Sequence, residues 1–248
     1  MVQIETQGIS SFSLHILAMT FMLCDHLWAT LFPAQEWMTC IGRMAFPIFA
    51  FMIVEGFFHT TNVCKYISRL FIFAVISEVP FNLIYGSSFI YPFHQNVIWT
   101  FLIALLCITL IEKINTRGTW WLTWSIIPIT ALVGYLLGTI IMVDYYGAGV
   151  LTVLTFYIFR EKKWWCFLGQ LICLAILNIK VIGGYFYSIS FAGYEFQIVQ
   201  QSFALLSLIP IWFYHGRRGY HSKWFQYVCY AFYPVHLLLL YLIWQCVI

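Results

Sequence analysis

Long apolar segments alternate with short polar segments along the whole chain. The apolar runs cover approximately residues 9–32, 38–60, 66–85, 95–111, 119–142, 147–160, 164–179, 197–214 and 224–246. A helix rises about 1.5 Å per residue, so about 20 apolar residues cross the roughly 30 Å hydrocarbon core of a bilayer. The strands of a membrane barrel are shorter than these runs. The pattern therefore predicts an all-α, polytopic membrane helical bundle with about nine transmembrane helices.

The connections between the runs carry most of the positive charge. Those after the second, fourth, sixth and eighth runs hold ten of the twelve basic residues, namely Lys65 and Arg69, Lys113 and Arg117, Arg160, Lys162 and Lys163, and Arg217, Arg218 and Lys223. The odd-numbered connections hold only Lys180, and Arg43 lies within the second run. Because basic loops stay on the cytoplasmic side, we expect the N-terminus inside and the C-terminus outside.

Composition excludes several classes of protein. Only 8% of residues are charged and 62% are hydrophobic, whereas a soluble domain carries about 25% charged residues. The chain has no internal repeat or soluble linker, which predicts a single domain over residues 1–248. The basic residues form no aromatic-interleaved face for nucleic acid. The histidines are too dispersed for a metal site, and the eight cysteines include no Cys-x-x-Cys pair.

Four ionisable residues lie inside predicted helices, where polar groups are costly and usually functional. His26 lies about 9 Å and Arg43 about 8 Å below the outer ends of their helices. Glu78 and His236 each lie about 18 Å above the inner ends. In a core about 30 Å thick, all four fall within one layer just outward of the midplane. The layer predicts a functional site shared by four helices.

Asp25 directly precedes His26, which suggests a catalytic dyad. Neighbouring helix residues point about 100° apart, however, so the two side chains do not face each other. We expect Asp25 to pair with Arg43 across the short outer turn at 33–38. Purely structural interpretations remain open. Asp25 and Arg43 can form a structural ion pair, His26 and His236 can be hydrogen-bonded interior imidazoles, and Glu78 can be neutral and hydrogen-bonded.

Three further polar residues lie near the ends of predicted helices. Glu55 is near the cytoplasmic face, close to Lys65 and Arg69, where an interfacial salt bridge explains it without chemistry. Asp144 begins the segment DYYGAG at an outer helix junction, and Asn96 ends a His-Gln-Asn segment before the fourth helix. Both residue types are typical N-caps of helices.

Four segments of the chain resemble one known family. The segment at 42–83, GRMAFPIFAFMIVEGFFHTTNVCKYISRLFIFAVISEVPFNL, is the most specific of them. The others are the Asp25-His26 pair followed by a proline, DYYGAGVLTVLTFYIFR at 144–160, and YAFYPVHLLLL at 230–240. Together they resemble the TraX family of membrane proteins over nearly the whole chain.

The resemblance implies an activity. The family is named for a conjugation protein that acetylates the N-terminus of F pilin, and it resembles membrane acyltransferases that use cytosolic acetyl-CoA. It implies a multi-pass protein of the bacterial cytoplasmic membrane that moves acetyl from acetyl-CoA to an amine or hydroxyl at or beyond the outer face. The implied acceptor is a peptide N-terminus or a glycan, which family membership does not decide. An intramembrane histidine is central in those relatives, which implies His26 as the base and His236 as a second candidate.

Elementary chemistry assigns roles to the same residues. Acetyl transfer from a thioester needs a base for the proton of the attacking group and a positive group near the developing oxyanion. A neutral His26 can serve as the base. Arg43 can serve as the positive group near the oxyanion, or its role can be limited to the ion pair with Asp25. The candidate catalytic residues are Asp25, His26, Arg43 and His236. The candidate donor contacts, in or near the basic loops and helix ends, are Glu55, Lys65, Arg69, Glu78, Asn96 and Asp144.

Two other classes of function remain open. A proton-coupled transporter would use intramembrane His, Glu and Arg as relay groups, but the chain shows no inverted repeat or pair of broken helices. A non-catalytic assembly or scaffold protein would fit less well with the near-absence of soluble segments. The longest outer loop, at about 180–196, is rich in Gly, Tyr and Ser and can fold over a site.

Overall fold

The computed structural model describes residues 8–116, 118, 120–191 and 194–247. The helices are α1 (Ser11–Thr30), α2 (Glu36–Gly42), α3 (Ala45–His59), α4 (Val63–Gly86), α5 (Val97–Asn115), α6 (Trp120–Ile140), α7 (Tyr146–Ile158), α8 (Trp164–Ala175), α9 (Leu208–Trp212) and α10 (Lys223–Val247). A π-helical segment, Ile176–Ile182, extends α8, and a 3-10 helix, Gln200–Ser207, precedes α9. Two strands, β1 (Phe186–Phe191) and β2 (Tyr194–Val199), lie between these segments.

A helical membrane bundle is confirmed, with six helical segments in the described part of the chain long and apolar enough to span a bilayer. They are Ser11–Thr30, Glu36–His59, Val63–Gly86, Val97–Asn115, Trp164–Ile182 and Trp224–Val247. The apolar stretches Trp124–Ile140 and Tyr146–Ile158 are shorter, and the run at 197–214 becomes a 3-10 helix followed by the five-residue α9. The count of nine spans and the orientation therefore stay predictions.

The outer surface of the bundle is apolar, as lipid contact requires. On α6 the side chains of Ile129, Leu132 and Leu136 are exposed, and on α10 those of Leu239 and Leu242 are exposed. A water-soluble protein rarely exposes contiguous apolar surface of this kind. The exposed faces of these helices are therefore the surfaces that meet the acyl chains.

The core forms where α3 packs against α1, α5 and α7, while α10 packs against α1 and α4. Ile48 on α3 and Leu105 on α5 are fully buried in it. Helices α6 and α7 approach closely at Gly138 and Gly147, where a Cβ atom would meet the backbone of the other helix. Small residues of this kind let membrane helices pack backbone to backbone.

The second apolar run is broken into two helices at Arg43 and Met44. Pro47 lies in the first turn of α3 and has no backbone N–H to bond the carbonyl of Arg43, and its ring would clash with that carbonyl in a continuous helix. Arg43 and Met44 keep right-handed helical backbone angles, so the path of the chain stays helical across the interruption, and the backbone N–H of Arg43 bonds the carbonyl of Thr39 at 3.0 Å. From this position the Arg43 side chain reaches Asp25 on α1.

The loop at 180–196, for which an outside location is predicted, overlaps a β-hairpin formed by Phe186–Phe191 and Tyr194–Val199, which the all-α prediction did not include. The strands are antiparallel, pairing Phe186 with Val199 and Phe191 with Tyr194. Both strands are rich in aromatic and β-branched residues, which favour strands over helices. At the base of the hairpin, the Gln200 amide donates to the Tyr187 hydroxyl at 3.2 Å and lies 3.4 Å from the hydroxyl of Thr39 on α2.

Candidate functional site

A cavity of about 250 Å³, called the outer cavity below, lies among six parts of the chain. These are the last part of α1, the break between α2 and α3, the end of α4, the start of α5, the loop before α7 and the middle of α10. Its polar lining consists of Asp25, His26, Arg43, Tyr85, His94, Asp144, Tyr145 and Tyr233. The helix ends and loops around it belong to the connections for which an outer location is predicted, so a ligand reaching it from outside has the shorter path.

Asp25 and Arg43 form the ion pair that the sequence predicted. Arg43 Nη2 donates to both carboxylate oxygens of Asp25, and the hydroxyl of Thr39 donates to Asp25 Oδ1 at 2.8 Å. Gly42 makes the close approach of α2 to α1 possible, because a Cβ at this position would collide with the Asp25 side chain. The pair is only partly buried, with 19% and 16% of the Arg43 and Asp25 side chains exposed.

His26 and His236 are hydrogen-bonded to each other, although 210 positions separate them. His26 Nδ1 lies 2.6 Å from His236 Nε2, and the two rings lie end to end, with centroids 4.9 Å apart and 16° between their planes. Both residues are buried. His26 lines the outer cavity, whereas His236, which belongs to α10, does not. The sequence predicted both histidines in one layer, with His236 as a second candidate base or a hydrogen-bonded interior imidazole.

The hydrogen-bond network assigns the tautomers of the two neutral rings. His236 Nδ1 lies 2.6 Å from the carbonyl oxygen of Phe232, which can only accept, so Nδ1 carries the proton. His236 Nε2 is then an acceptor and receives a hydrogen bond from the N–H at His26 Nδ1. His26 Nε2 is left with its lone pair, and no hydrogen bond to it is recorded among the described residues. The site thus holds a free imidazole nitrogen on a cavity-lining residue.

A second histidine, His94, lies in the outer cavity with a carboxylate. His94 Nε2 is 3.4 Å from Asp144 Oδ1, which also accepts from the backbone N–H of Tyr145 at 3.1 Å. Parallel backbone pairing between Gln95 and Val143 joins the two segments, and this pairing brings His94 and Asp144 together. The sequence suggested only helix capping for His94, and its spacing from Asp144 contains no signal of the contact.

The turn that carries Asp144 has an uncommon backbone conformation. Met142, Tyr145 and Tyr146 have φ angles of 58°, 61° and 48°, in the left-handed region that non-glycine residues seldom occupy. Each such residue costs on the order of 1–3 kcal/mol, and these residues cluster at functional sites. The Tyr145 ring stacks on Phe46 with centroids 4.1 Å apart, so α3 holds the turn against the cavity.

Glu78 and Asn96 lie outside the outer cavity and bind each other. Glu78 Oε2 accepts from the side chains of Asn96 and Trp99, the latter at 2.8 Å. Asn96 also donates to the carbonyl of Ala74 at 2.9 Å and caps α5 through the backbone N–H of Ile98 at 3.0 Å. These bonds join α4 to α5, as the hydrogen-bonded reading of Glu78 predicted. The depth argument alone had placed Glu78 with the histidines.

The remaining candidate donor contacts lie at the opposite end of the bundle. Glu55 Oε1 accepts from Arg160 Nε at 2.9 Å, and not from the Lys65 or Arg69 that sequence proximity suggested. Glu55 and Arg160 line a second cavity of about 330 Å³, called the inner cavity below. Lys65 is exposed at the start of α4. The Arg69 guanidinium lies 5.9 Å from the ring centroids of Tyr66 and of Tyr230 on α10, outside both cavities.

The outer cavity thus combines a proton acceptor, a fixed cation and an apolar lining. His26 Nε2 can accept a proton, and Arg43 lines the same space as a fixed positive charge. The Nε–H of Arg43 is buried and has no acceptor among the described residues, although buried donors nearly always find one. The lining also includes apolar and aromatic side chains, which keep water from competing for these groups.

Comparison with known proteins agrees with the segments noted in the sequence. The family described as TraX protein matches this chain over residues 10–244, a range that includes every residue of the outer cavity. A relative described as probable fimbrial assembly protein FimC, serogroup H1, from Dichelobacter nodosus is 26% identical over 257 residues, covering 93% of this chain and 94% of the relative. No solved structure matches the chain. The extent of the family match shows that this chain belongs to the TraX protein family.

Proposed function

We propose that this multi-pass membrane protein is an acetyltransferase that moves an acetyl group from cytosolic acetyl-CoA to an amine or hydroxyl at the outer membrane face. The observation that carries the proposal is His26: it lines the same cavity as Arg43 while its Nδ1 is bound by His236. A base and a cation beside one cavity are the two requirements of acyl transfer from a thioester. The family membership supports the same activity.

The proposed reaction uses the free nitrogen of His26. The acceptor nitrogen or oxygen attacks the thioester carbonyl carbon as its proton passes to His26 Nε2. The carbon–sulfur bond then breaks, and the proton passes from His26 to the departing sulfur of CoA. His236 keeps the reacting nitrogen of His26 unprotonated at the start of each cycle, because its own Nδ1–H is held by the Phe232 carbonyl.

Arg43 has the position of an oxyanion stabiliser. Asp25 engages its Nη2, which fixes the guanidinium plane, and the Nε–H remains a donor without a described partner. A preorganised cation in a water-poor site stabilises the negative charge that develops on the carbonyl oxygen, and it does so without reorganising. In this proposal Asp25 positions Arg43 and does not itself exchange protons.

The proposed location is the bacterial cytoplasmic membrane, with the outer cavity facing away from the cytoplasm. The basic connections support this orientation because positive loops stay inside. The relative's name associates it with fimbrial assembly, which supports the exposed terminus of a pilus subunit as an acceptor, with a glycan as the other candidate. In either case the acceptor arrives from outside and the donor from the cytoplasm.

The test is transfer of labelled acetyl from acetyl-CoA by purified protein in lipid nanodiscs, with peptide and glycan acceptors offered in parallel. His26→Ala should abolish transfer and leave CoA binding nearly unchanged, because the lost group acts in the transition state and not on the bound donor. His15→Ala is the matched control. His15 lies on the same helix about 16 Å away and bonds only within α1.

Three outcomes contradict the proposal in different ways. A folded His26→Ala protein that turns over near the wild-type rate removes His26 from the mechanism. Uptake of a solute into vesicles without acetyl transfer favours the proton-coupled transporter. Neither chemistry nor uptake, with binding to pilus components retained, favours the scaffold protein.

A further inference from the structure

The inner cavity lies at the end of the bundle where the cytoplasmic connections are predicted. It is bounded by the end of α3, the connection between α7 and α8, and the segment that follows α9. Helix α3 passes both cavities: Phe46 and Phe49 line the outer one, and Phe51 and Glu55 line the inner one. Phe46 and Glu55, which line different cavities, are nine residues apart on α3, or about 14 Å along the helix axis.

The charge of the inner cavity is predominantly positive. Arg160 and Lys162 line it as permanent cations, and Glu55 is the single carboxylate in its described lining. Glu55 is engaged by Arg160 at 2.9 Å and lies 3.9 Å from His59. Lys162 has no carboxylate partner among the described residues, and its Nζ donates only to the backbone carbonyl of Tyr214. An anionic ligand can therefore bind Lys162 without first displacing a carboxylate side chain from it.

Arg160 is held in a defined orientation at the rim of this cavity. Its guanidinium stacks 4.0 Å above the Phe58 ring while its Nε donates to Glu55. The Nη atoms are not used by the bond to Glu55, and a planar guanidinium fork fits the oxygens of a phosphate. Arg160 and Lys162 thus present donors to the same space from one short connection.

Two aromatic side chains also form part of the wall of the inner cavity. Phe167 and Trp212 line the cavity with ring centroids 5.4 Å apart, and the indole N–H of Trp212 is satisfied by Gln170 at 2.8 Å. A nucleobase stacks on such rings, whereas a lipid headgroup has no flat ring to place there. Two cations and two aromatic rings lining one cavity fit the phosphorylated adenosine end of a nucleotide.

We propose that the inner cavity binds the adenosine and phosphate end of CoA, with Lys162 and Arg160 on the phosphates and the aromatic wall on the adenine. This inference rests on the proposed function for the identity of the nucleotide. It places the donor at the opposite end of α3 from His26, so that the thioester end reaches the outer cavity along that helix. The donor site then differs from Lys65 and Arg69, which lie outside the inner cavity.

The experiment measures CoA binding by calorimetry in nanodiscs of zwitterionic lipid, with 3′-dephospho-CoA and phosphatidylglycerol-containing nanodiscs as separate arms. Lys162→Gln should weaken CoA binding roughly tenfold, because a charge-assisted hydrogen bond to phosphate is lost. Lys163→Gln is the matched control. Lys163 is the next residue along the chain, is exposed and paired with Glu161 at 2.6 Å, and lies outside the cavity, so CoA affinity should not change.

A double substitution, Glu55→Gln with Arg160→Gln, removes both members of the ion pair, so neither residue is left as an unpaired charge. This protein should also bind CoA more weakly. Unchanged CoA affinity in both this protein and Lys162→Gln, each folded by size-exclusion chromatography, overturns the inference. An effect of Lys162→Gln that appears only with phosphatidylglycerol assigns the cavity to lipid and also overturns it. The proposed function is judged separately. If the variants bind CoA more weakly but the wild-type protein transfers no acetyl group, the result supports the assignment of the cavity and contradicts the proposed acetyltransferase activity.

Discussion

At the scale of single residues, His236 decides which nitrogen of His26 is free. Its own proton is held by the Phe232 carbonyl, so its Nε2 can only accept from His26. His236 does not line the outer cavity and therefore acts through His26 as a positioning residue. The sequence had made His236 a second candidate for the base itself, a role that we assign to His26 alone.

The contact predicts the behaviour of two substitutions. His236→Leu should lower kcat by about a hundredfold, within the range that general base catalysis contributes, because His26 loses the acceptor that holds its tautomer. His236→Gln should recover part of the rate, since its carbonyl oxygen can accept from His26 Nδ1. The measurement is kcat and KM for acetyl-CoA, with KM expected to stay constant. Equal losses in both proteins, or a loss only in KM, would assign His236 a packing role.

At the scale of secondary structure, the interruption between α2 and α3 lies at Arg43, because Pro47 leaves the Arg43 carbonyl without its helical donor. Pro47 prevents continuity, and Gly42 lets α2 approach Asp25. Thr39, which donates to Asp25, also meets Gln200 at the base of the hairpin. The outer hairpin is thereby linked to the ion pair.

Pro47→Ala should lower the acetyl-transfer rate at least tenfold with little loss of thermal stability. Alanine restores the backbone N–H that can bond the Arg43 carbonyl, so the two helices can join and Arg43 can leave its place beside Asp25. Pro128→Ala is the control, because Pro128 lies inside the apolar helix α6 on an exposed face away from both cavities. A Pro47→Ala protein with full activity would show that the break is not needed for the site.

At the scale of the whole molecule, the two cavities lie at opposite ends of one central helix. The outer cavity is surrounded by the predicted outer connections, and the inner cavity by the basic connections. Such an arrangement suits a reaction whose donor and acceptor come from different sides of the membrane. Neither substrate then needs to cross the bilayer completely.

Two native cysteines can test this sidedness. Cys64 at the start of α4 and Cys246 near the end of α10 are both exposed. With the other six cysteines changed to serine, a membrane-impermeant maleimide added to intact cells should label Cys246 and not Cys64, because the basic connections predict the C-terminus outside. Labelling should reverse in inverted vesicles. Reaction of Cys64 from outside would contradict the orientation and the cytoplasmic entry of the donor.

Much of the fold and part of the site could be predicted from the sequence. Hydropathy reports the environment of each segment, so the helical membrane character followed from apolar length alone. Intramembrane charges must find partners, and Asp25 and Arg43 were close enough along the chain for their pairing to be predicted. The aromatic strands of the hairpin were missed because the segment was treated only as a Gly-rich outer loop.

Only the tertiary structure decided which polar groups meet. A depth estimate places residues in a layer but says nothing about the rotation of each helix about its axis. That rotation brings His26 to His236, turns Glu78 toward Asn96 and pairs Glu55 with Arg160. The contact of His94 with Asp144 likewise depends on backbone pairing between distant segments. Helix rotation is set by side-chain packing summed over many neighbours, which no local pattern in the chain encodes.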